Sequence, residues 1–299
     1  MTTAEIEINL RQPGALDQRS LQHLALKRFM RNKMALSGVV LMGLLVLTVL
    51  VGPMLIDRGL VMRPQPLQML QHPSREHILG TDEVGRDVFA RLVYAGRISI
   101  SVGFFSMTIS TLIGTLTGVI AGYYGGIVDQ VLMRFTDAML SIPSIFLLLM
   151  IGAIVRPNVP IIILILGLLN WVDIARVLRG HVLTIRKMNY IEAAKGLGAS
   201  SGIIMLRHII PNSMGTILVA APLIVARAIL SESALSFLGL GIQPPTPSWG
   251  NMLNQAQQHL LNTPGLAVSP GIMIMITVVS VNVIGDGLRD AFDPKLTNK

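Results

Sequence analysis

The stretch ISISVGFFSMTISTLIGTLTGVIAG, residues 98–122, runs for 25 residues without a charge. A helix of about 20 residues crosses about 30 Å of hydrocarbon, so this segment is long enough to span a bilayer. Gly114, Gly118 and Gly122 recur every four residues along it, with Thr111 and Thr115 alongside. That spacing sets small side chains on one stripe of a helix, where a neighbouring backbone can approach closely. The segment reads as a membrane helix packed in a bundle, and the pattern does not name its partner.

Further segments are long and apolar enough to span as well. Ala35–Ile56 is 22 uncharged residues preceded by the basic stretch KRFMRNK at 27–33. It is too long for a signal-peptide core and lacks a small-residue cleavage site, so it reads as an uncleaved anchor. Ala138–Val155 offers 18 residues, and Leu266–Ile284 makes the last run, with Pro270 near its start and Asn282 near its end. Val159–Val172 has only 14 uncharged residues and must continue through Asp173 and Arg176 to about Leu178. Those two charges stand three apart, a spacing at which they can meet on one helix face. The run from Met214 to about Leu240 contains Arg227 and Glu232. Ionisable groups at that depth face protein or water, not lipid. The expectation is an all-α polytopic protein of six transmembrane helices.

Composition agrees. Of 299 residues, 52% are apolar and 13% charged, with a mean hydropathy of +0.63. A soluble domain carries about 25% charged residues, so a solvated globular enzyme and a disordered chain are both excluded. With no cysteine, a disulfide framework, a thiolate zinc site and a cysteine nucleophile are excluded as well. The net charge of +8 would raise the question of nucleic acid, but no basic run alternates with aromatics. Basic residues also collect in cytoplasmic loops. With the N-terminus inside, sixteen of the 24 Lys and Arg residues fall on the inner side, which favours both termini in the cytoplasm.

Catalytic and nucleotide motifs are missing from the sequence. It has no G-x-x-x-x-G-K-[ST] phosphate loop, no H-E-x-x-H metal pair and no G-x-S-x-G nucleophile elbow. The six histidines (His23, His72, His77, His181, His208 and His259) form no ligand-spaced pair. The chain reads as a non-enzyme with no catalytic residue and no metal or cofactor of its own.

The most informative polar segment is the inside loop at 179–213, RGHVLTIRKMNYIEAAKGLGASSGIIMLRHIIPN over 179–212. A helical stretch ends near Gly196-Leu197-Gly198, where glycine can take a left-handed cap. The pattern resumes at Ile203, Ile204, Leu206, His208 and Ile209 until Pro211, which is expected to break it. Two short helices at an angle make a projecting knob suited to the cleft of a soluble partner. The alternative is a basic loop lying on lipid headgroups.

EAAKGLGASSGIIMLRHIIP, residues 192–211, resembles the EAA signature of bacterial ABC-importer permeases, E-A-A-x3-G-x9-I-x-L-P. Glu192, Ala193, Ala194, Gly198 and Pro211 match it; His208 and Ile210 stand where the pattern has Ile and Leu. Further segments are similar to one branch, the second (C-type) permease of the dipeptide and oligopeptide (peptide/nickel) importers. They are RNKMALSG (31–38), LGTDEVGRDVFARLVYAGRISISVG (79–103), GYYGGIVDQVLMRFTDAMLSIPS (122–144), SFLGLGIQPPTPSWGNML (236–253) and GDGLRDAFDPKL (285–296). Together the resemblance covers about residues 27–297.

The resemblance implies a type I ABC importer permease fold in the bacterial inner membrane. It also implies a translocation path shared with a second permease subunit and carrying di- or oligopeptides or a related small solute. Two ATP-binding subunits would hold ATP and Mg, and a periplasmic or lipid-anchored binding protein would deliver substrate. The implied layout is a cytoplasmic tail (1–33), a first span (34–56), a periplasmic segment (57–97) and a permease domain (98–290) with its cytoplasmic loop at 179–213. A second tail follows at 291–299. Tyr190, Glu192, Ala193, Ala194, Gly198, Arg207 and Pro211 would couple to the ATPases, with Glu192 as the leading contact. Asp173, Arg227 and Glu232 are candidates for the path. The rival reading is a self-contained ion-coupled secondary transporter, which predicts an internal repeat that the sequence does not show.

Three smaller expectations concern the loops. Asp82 or Asp87 is placed to cap a helix, and Asp286, Arg289 and Asp290 to form a local ion-pair lattice. Pro244-Pro245-Thr246-Pro247 followed by Trp249 reads as a stiff external turn with an interfacial aromatic.

Overall fold

The computed structural model describes residues 18–155 and 157–292. The N-terminal tail through residue 17, Arg156 and the end of the C-terminal tail therefore lie outside the described residues, as does the last part of the 285–296 motif. Among the described residues the elements are helical apart from one isolated bridge, Thr81 with Asp87.

Helix α1 (Gln18–Arg31) leads into α2 (Lys33–Leu55), the first long apolar helix. The break between them is made by Asn32, whose side chain accepts the Ala35 N–H at 3.1 Å and so caps α2. A short α3 (Arg58–Met62) follows. The second long helix, α4, runs from Val88 to Tyr124. Next come α5 (Gly126–Ser141) and α6 (Ser144–Ile154), then α7 (Val159–Ile185). The loop helix α8 (Asn189–Gly196) precedes α9 (Ser201–Phe237). Helices α10 (Trp249–Ala256) and α11 (Gly265–Phe292) complete the chain.

Five of these helices, α2, α4, α7, α9 and α11, are long and apolar enough to cross a membrane. The α5–α6 pair brings the number to six if it is one broken span, bent by 76°. The straight run expected at 138–155 is thus interrupted. The helix stops at Ser141 and restarts after Pro143, which lacks an N–H for a helical bond and disfavours the α region in the residue before it.

The glycine stripe has a definite partner. Helices α4 and α7 run parallel and form the most extensive helix–helix interface of the bundle. A methyl group added at Gly118 would lie 2.5 Å from the Ala175 carbonyl oxygen, and one at Gly122 would lie 2.7 Å from Val182 Cβ. Only glycine permits this approach. The stripe continues along α4 with two hydroxyls that donate to α7 backbone oxygens, Ser106 to Ile163 at 3.2 Å and Ser110 to Gly167 at 2.9 Å. In an apolar medium such bonds satisfy the polar groups and hold the helices in register.

The segment before α4 packs around buried ions. Asp82 accepts from the Arg86 backbone N–H at 2.8 Å, from Arg86 Nε at 2.7 Å and from Arg91 Nη1 at 2.5 Å. Arg91 also donates to Gln255 of α10 at 2.8 Å, tying the loop before α4 to the loop before α11. Asp87 caps α4 by accepting the Ala90 N–H at 2.7 Å, with His77 Nδ1 on its other oxygen at 2.8 Å. Both aspartates are therefore structural. Trp249 departs from expectation, being fully buried and donating from Nε1 to the Leu92 carbonyl at 3.1 Å. It anchors the start of α10 against α4 and is not an interfacial belt residue. The expected lattice of Asp286, Arg289 and Asp290 does not form either; Asp290 instead accepts from Asn32 Nδ2 at 3.4 Å.

Candidate functional site: a docking knob and a charged cavity wall

The chain between α7 and α9 forms the knob. Its root is apolar: Ile191, Ile204 and Ile209 are fully buried against Val119, Val182 and Ile185. Around that root, polar contacts clamp the knob to the end of α4. Arg186 donates to the Gly122 and Tyr123 carbonyls at 3.1 and 3.3 Å, meeting the negative end of the helix. Lys195 Nζ lies 5.3 Å from the centre of the Tyr123 ring, and the Tyr123 hydroxyl reaches Ser201 at 3.5 Å. About two turns earlier, Arg179 makes a two-pronged bond to Asp129 of α5 at 2.5 and 2.6 Å.

The tip of the knob is apolar and bare. Leu197 is 89% exposed and Leu206 69%, with Ile203 and Met188 also open. Gly198 makes the reversal between α8 and α9 with φ +81°, a conformation that favours glycine. Glu192 stands exposed in the first turn of α8, where a carboxylate complements the helix N-terminus. Ala193 is exposed, while Ala194 is half-buried against the root. Tyr190 lies 6.2 Å from the His208 ring, and partial burial pushes its phenol above the ordinary value. Arg207 is exposed as well, as are Glu192 and Tyr190.

Pro211 does not end the helix as expected. The α9 helix runs through it without a break. Residues Met205–Ile209 widen into a π-turn, with the Ile210 N–H reaching the Met205 carbonyl. That wider turn accommodates the proline ring and the missing N–H immediately after it. The knob is therefore one short helix plus the first turns of a spanning helix. A push on the tip acts directly on α9.

A cavity of about 1000 Å³ opens between α7, α9, α11 and α1. Pro211 lines it, as do Asp173 and Arg227, which form an ion pair across α7 and α9. Asp173 does not pair with Arg176, as spacing had suggested; Arg176 bonds Asp137 of α5 at 2.7 Å. Glu232 is absent from the cavity wall. It is fully buried nearer the other end of α9, where the Ser236 and Ser99 hydroxyls donate to it at 2.8 and 3.3 Å. The structure thus brings two of the three candidate path residues together and sets the third apart. Among the described residues, no group of three or more His, Cys, Asp or Glu side chains is arranged to hold a metal ion.

The family model described as "Binding-protein-dependent transport system inner membrane component" matches residues 114–298, and that of the N-terminal TM domain of oligopeptide transport permease C matches residues 20–73. A dipeptide transport system permease protein of Alkalihalophilus pseudofirmus is 41% identical over 272 residues, covering 91% of this chain and 89% of the relative. An oligopeptide transport system permease protein of Bacillus subtilis is 37% identical over 277 residues, with 93% and 90% covered. A glutathione transport system permease protein of Pectobacterium atrosepticum is 40% identical over 224 residues, with 75% and 74% covered. In fold, the chain matches one chain of the inward-facing MetNI methionine ABC transporter, with a TM-score of 0.53 at 19% identity. That match covers 67% of this chain and 95% of the other. The rival reading of a self-contained ion-coupled transporter falls against these matches. The chain belongs to the inner membrane components of binding-protein-dependent transport systems and has the fold of an ABC importer permease.

Proposed function

We propose that this chain is one of two permeases lining the path of an ATP-driven importer for di- or oligopeptides or a closely related small solute. The observation that carries the reading is the knob, with its buried isoleucine root, bare leucine tip and continuity with α9. A chain without a phosphate loop needs an external source of work. The knob is a rigid handle through which two ATP-binding subunits, carrying ATP and Mg, would deliver it. Tyr190, Glu192, Ala193, Ala194, Gly198, Arg207 and Pro211 form or position that handle. Engagement of the ATPases would bias the bundle between two arrangements, giving alternating access.

In this reading the knob end faces the cytoplasm of a bacterial inner membrane, with both termini on that side. The 57–97 segment and the α10 region face the periplasm, where a periplasmic or lipid-anchored binding protein delivers cargo. The permease domain occupies 98–290. The names of the relatives support the peptide assignment, and so does their similarity over most of the chain. Affinity purification of the tagged chain from its native membrane tests the assembly. A second permease and two ATP-binding subunits in stoichiometric amounts are expected; recovery of the chain alone as the transporting species contradicts the proposal.

A further inference from the structure

Asp173 on α7 and Arg227 on α9 pair with one another, yet each side chain remains about half exposed, 47% and 50%. Both residues sit within helices long enough to span the membrane, Val159–Ile185 and Ser201–Phe237. Charges half open at that depth are not turned to lipid, so their free faces look onto protein or water. Here they look into the cavity between α7, α9, α11 and α1. The wall beside them includes the apolar side chains of Ile174, Val177, Leu223 and Ile224. One anion and one cation thus stand side by side on a mostly apolar surface, whose other polar residues are His181, Asn212, Thr216 and Arg289.

We propose that this pair recognises the two charged ends of a zwitterionic cargo as it passes, Asp173 taking the ammonium and Arg227 the carboxylate. The inference rests on the reading that this chain lines a path for a peptide-like solute. Three physical features favour it. An ion pair this exposed is weak and can open. The arginine fork matches a carboxylate in two-pronged geometry. Exchanging one internal pair for two cargo contacts is also nearly balanced, and a transport site must release what it binds.

The absence of cysteine from the chain makes the test direct. In the complete transporter, embedded in nanodiscs, Asp173→Cys and Arg227→Cys each introduce the chain's only thiol. A charged, membrane-impermeant thiol reagent should modify both. Binding protein saturated with a free-termini dipeptide should slow the reaction. No labelling at either position overturns the path reading and the proposal with it. Recognition is then read from uptake in proteoliposomes. Asp173→Asn and Arg227→Gln should each lower dipeptide turnover at least about tenfold while stimulated ATP hydrolysis persists, and Arg227→Lys should fall between. Labelling together with unchanged uptake overturns recognition and leaves the path standing. Full uptake in the exchanged double variant, Asp173→Arg with Arg227→Asp, overturns it in favour of a purely structural pair. So does failure of the single variants to assemble with the partner subunits.

Discussion

Leu197→Ser separates docking from folding at the knob. The Leu197 side chain is 89% exposed at the turn into α9, so its removal takes almost nothing from the chain's own packing. Fully burying a leucine is worth about 1.5–3 kcal/mol, and nearly all of that remains available for a partner. If an apolar cleft of the ATPase closes over the tip, losing the side chain weakens association roughly 10- to 150-fold. The assay is titration of purified ATP-binding subunits onto the nanodisc-embedded permease pair, with thermal melting of the same sample as the folding control. Ile204→Ala is the contrasting variant. Ile204 is fully buried in the root, so its truncation should cost about 2–5 kcal/mol of local stability and lower the melting temperature. Leu197→Ser with wild-type association, or with a melting temperature as low as that of Ile204→Ala, refutes the reasoning.

Glu192→Ala should leave melting unchanged, because the carboxylate is exposed, while uptake per ATP hydrolysed falls; parallel measurement of both rates checks it. Gly118→Val places a side chain against the Ala175 carbonyl and should destabilise the bundle by about 1–3 kcal/mol, read as a lower melting temperature in detergent. Trp249→Phe removes the bond to the Leu92 carbonyl and should cost about 1 kcal/mol, with the ion-paired loop before α4 gaining faster hydrogen exchange.

Periodicity and local chemistry were the readable part of the sequence. The spans followed from uncharged runs and the close-packed face of α4 from Gly114, Gly118 and Gly122; a helix cap at Asp82 or Asp87 was readable from turn chemistry ahead of a helix, and Asp87 is the one that caps it. Gly198 announced its turn because few other residues tolerate a positive φ. Pairings across distance were not readable. Arg91 meets Gln255, 164 positions away, and Asp173 meets Arg227, 54 away, in preference to the Arg176 of its own helix. Neighbouring spacing says which groups can meet, whereas the packing of α7 on α9 and α5 decides which do.

The prolines show the same limit from another side. Pro143 interrupts its helix and Pro211 does not, although each follows an isoleucine. The difference lies in the π-turn at Met205–Ile209, whose wider winding makes room for the ring, a feature no propensity scale registers. Trp249 misled because aromatic residues near a predicted membrane boundary suit the interface, but here the small side of α4 at Gly96 leaves room for its ring. The apolar tip of the knob was hidden for a related reason. Leu197, Ile203 and Leu206 look like core residues until the fold turns them outward.

On the proposed function, this chain moves cargo only when ATPases act on its knob. Uptake of a labelled dipeptide into proteoliposomes measures it most directly, comparing the complete transporter supplied with ATP against the two permeases alone under proton or sodium gradients. Uptake is expected only in the first case, abolished when the ATP-binding subunits are left out. Accumulation by the permeases alone on an ion gradient contradicts it.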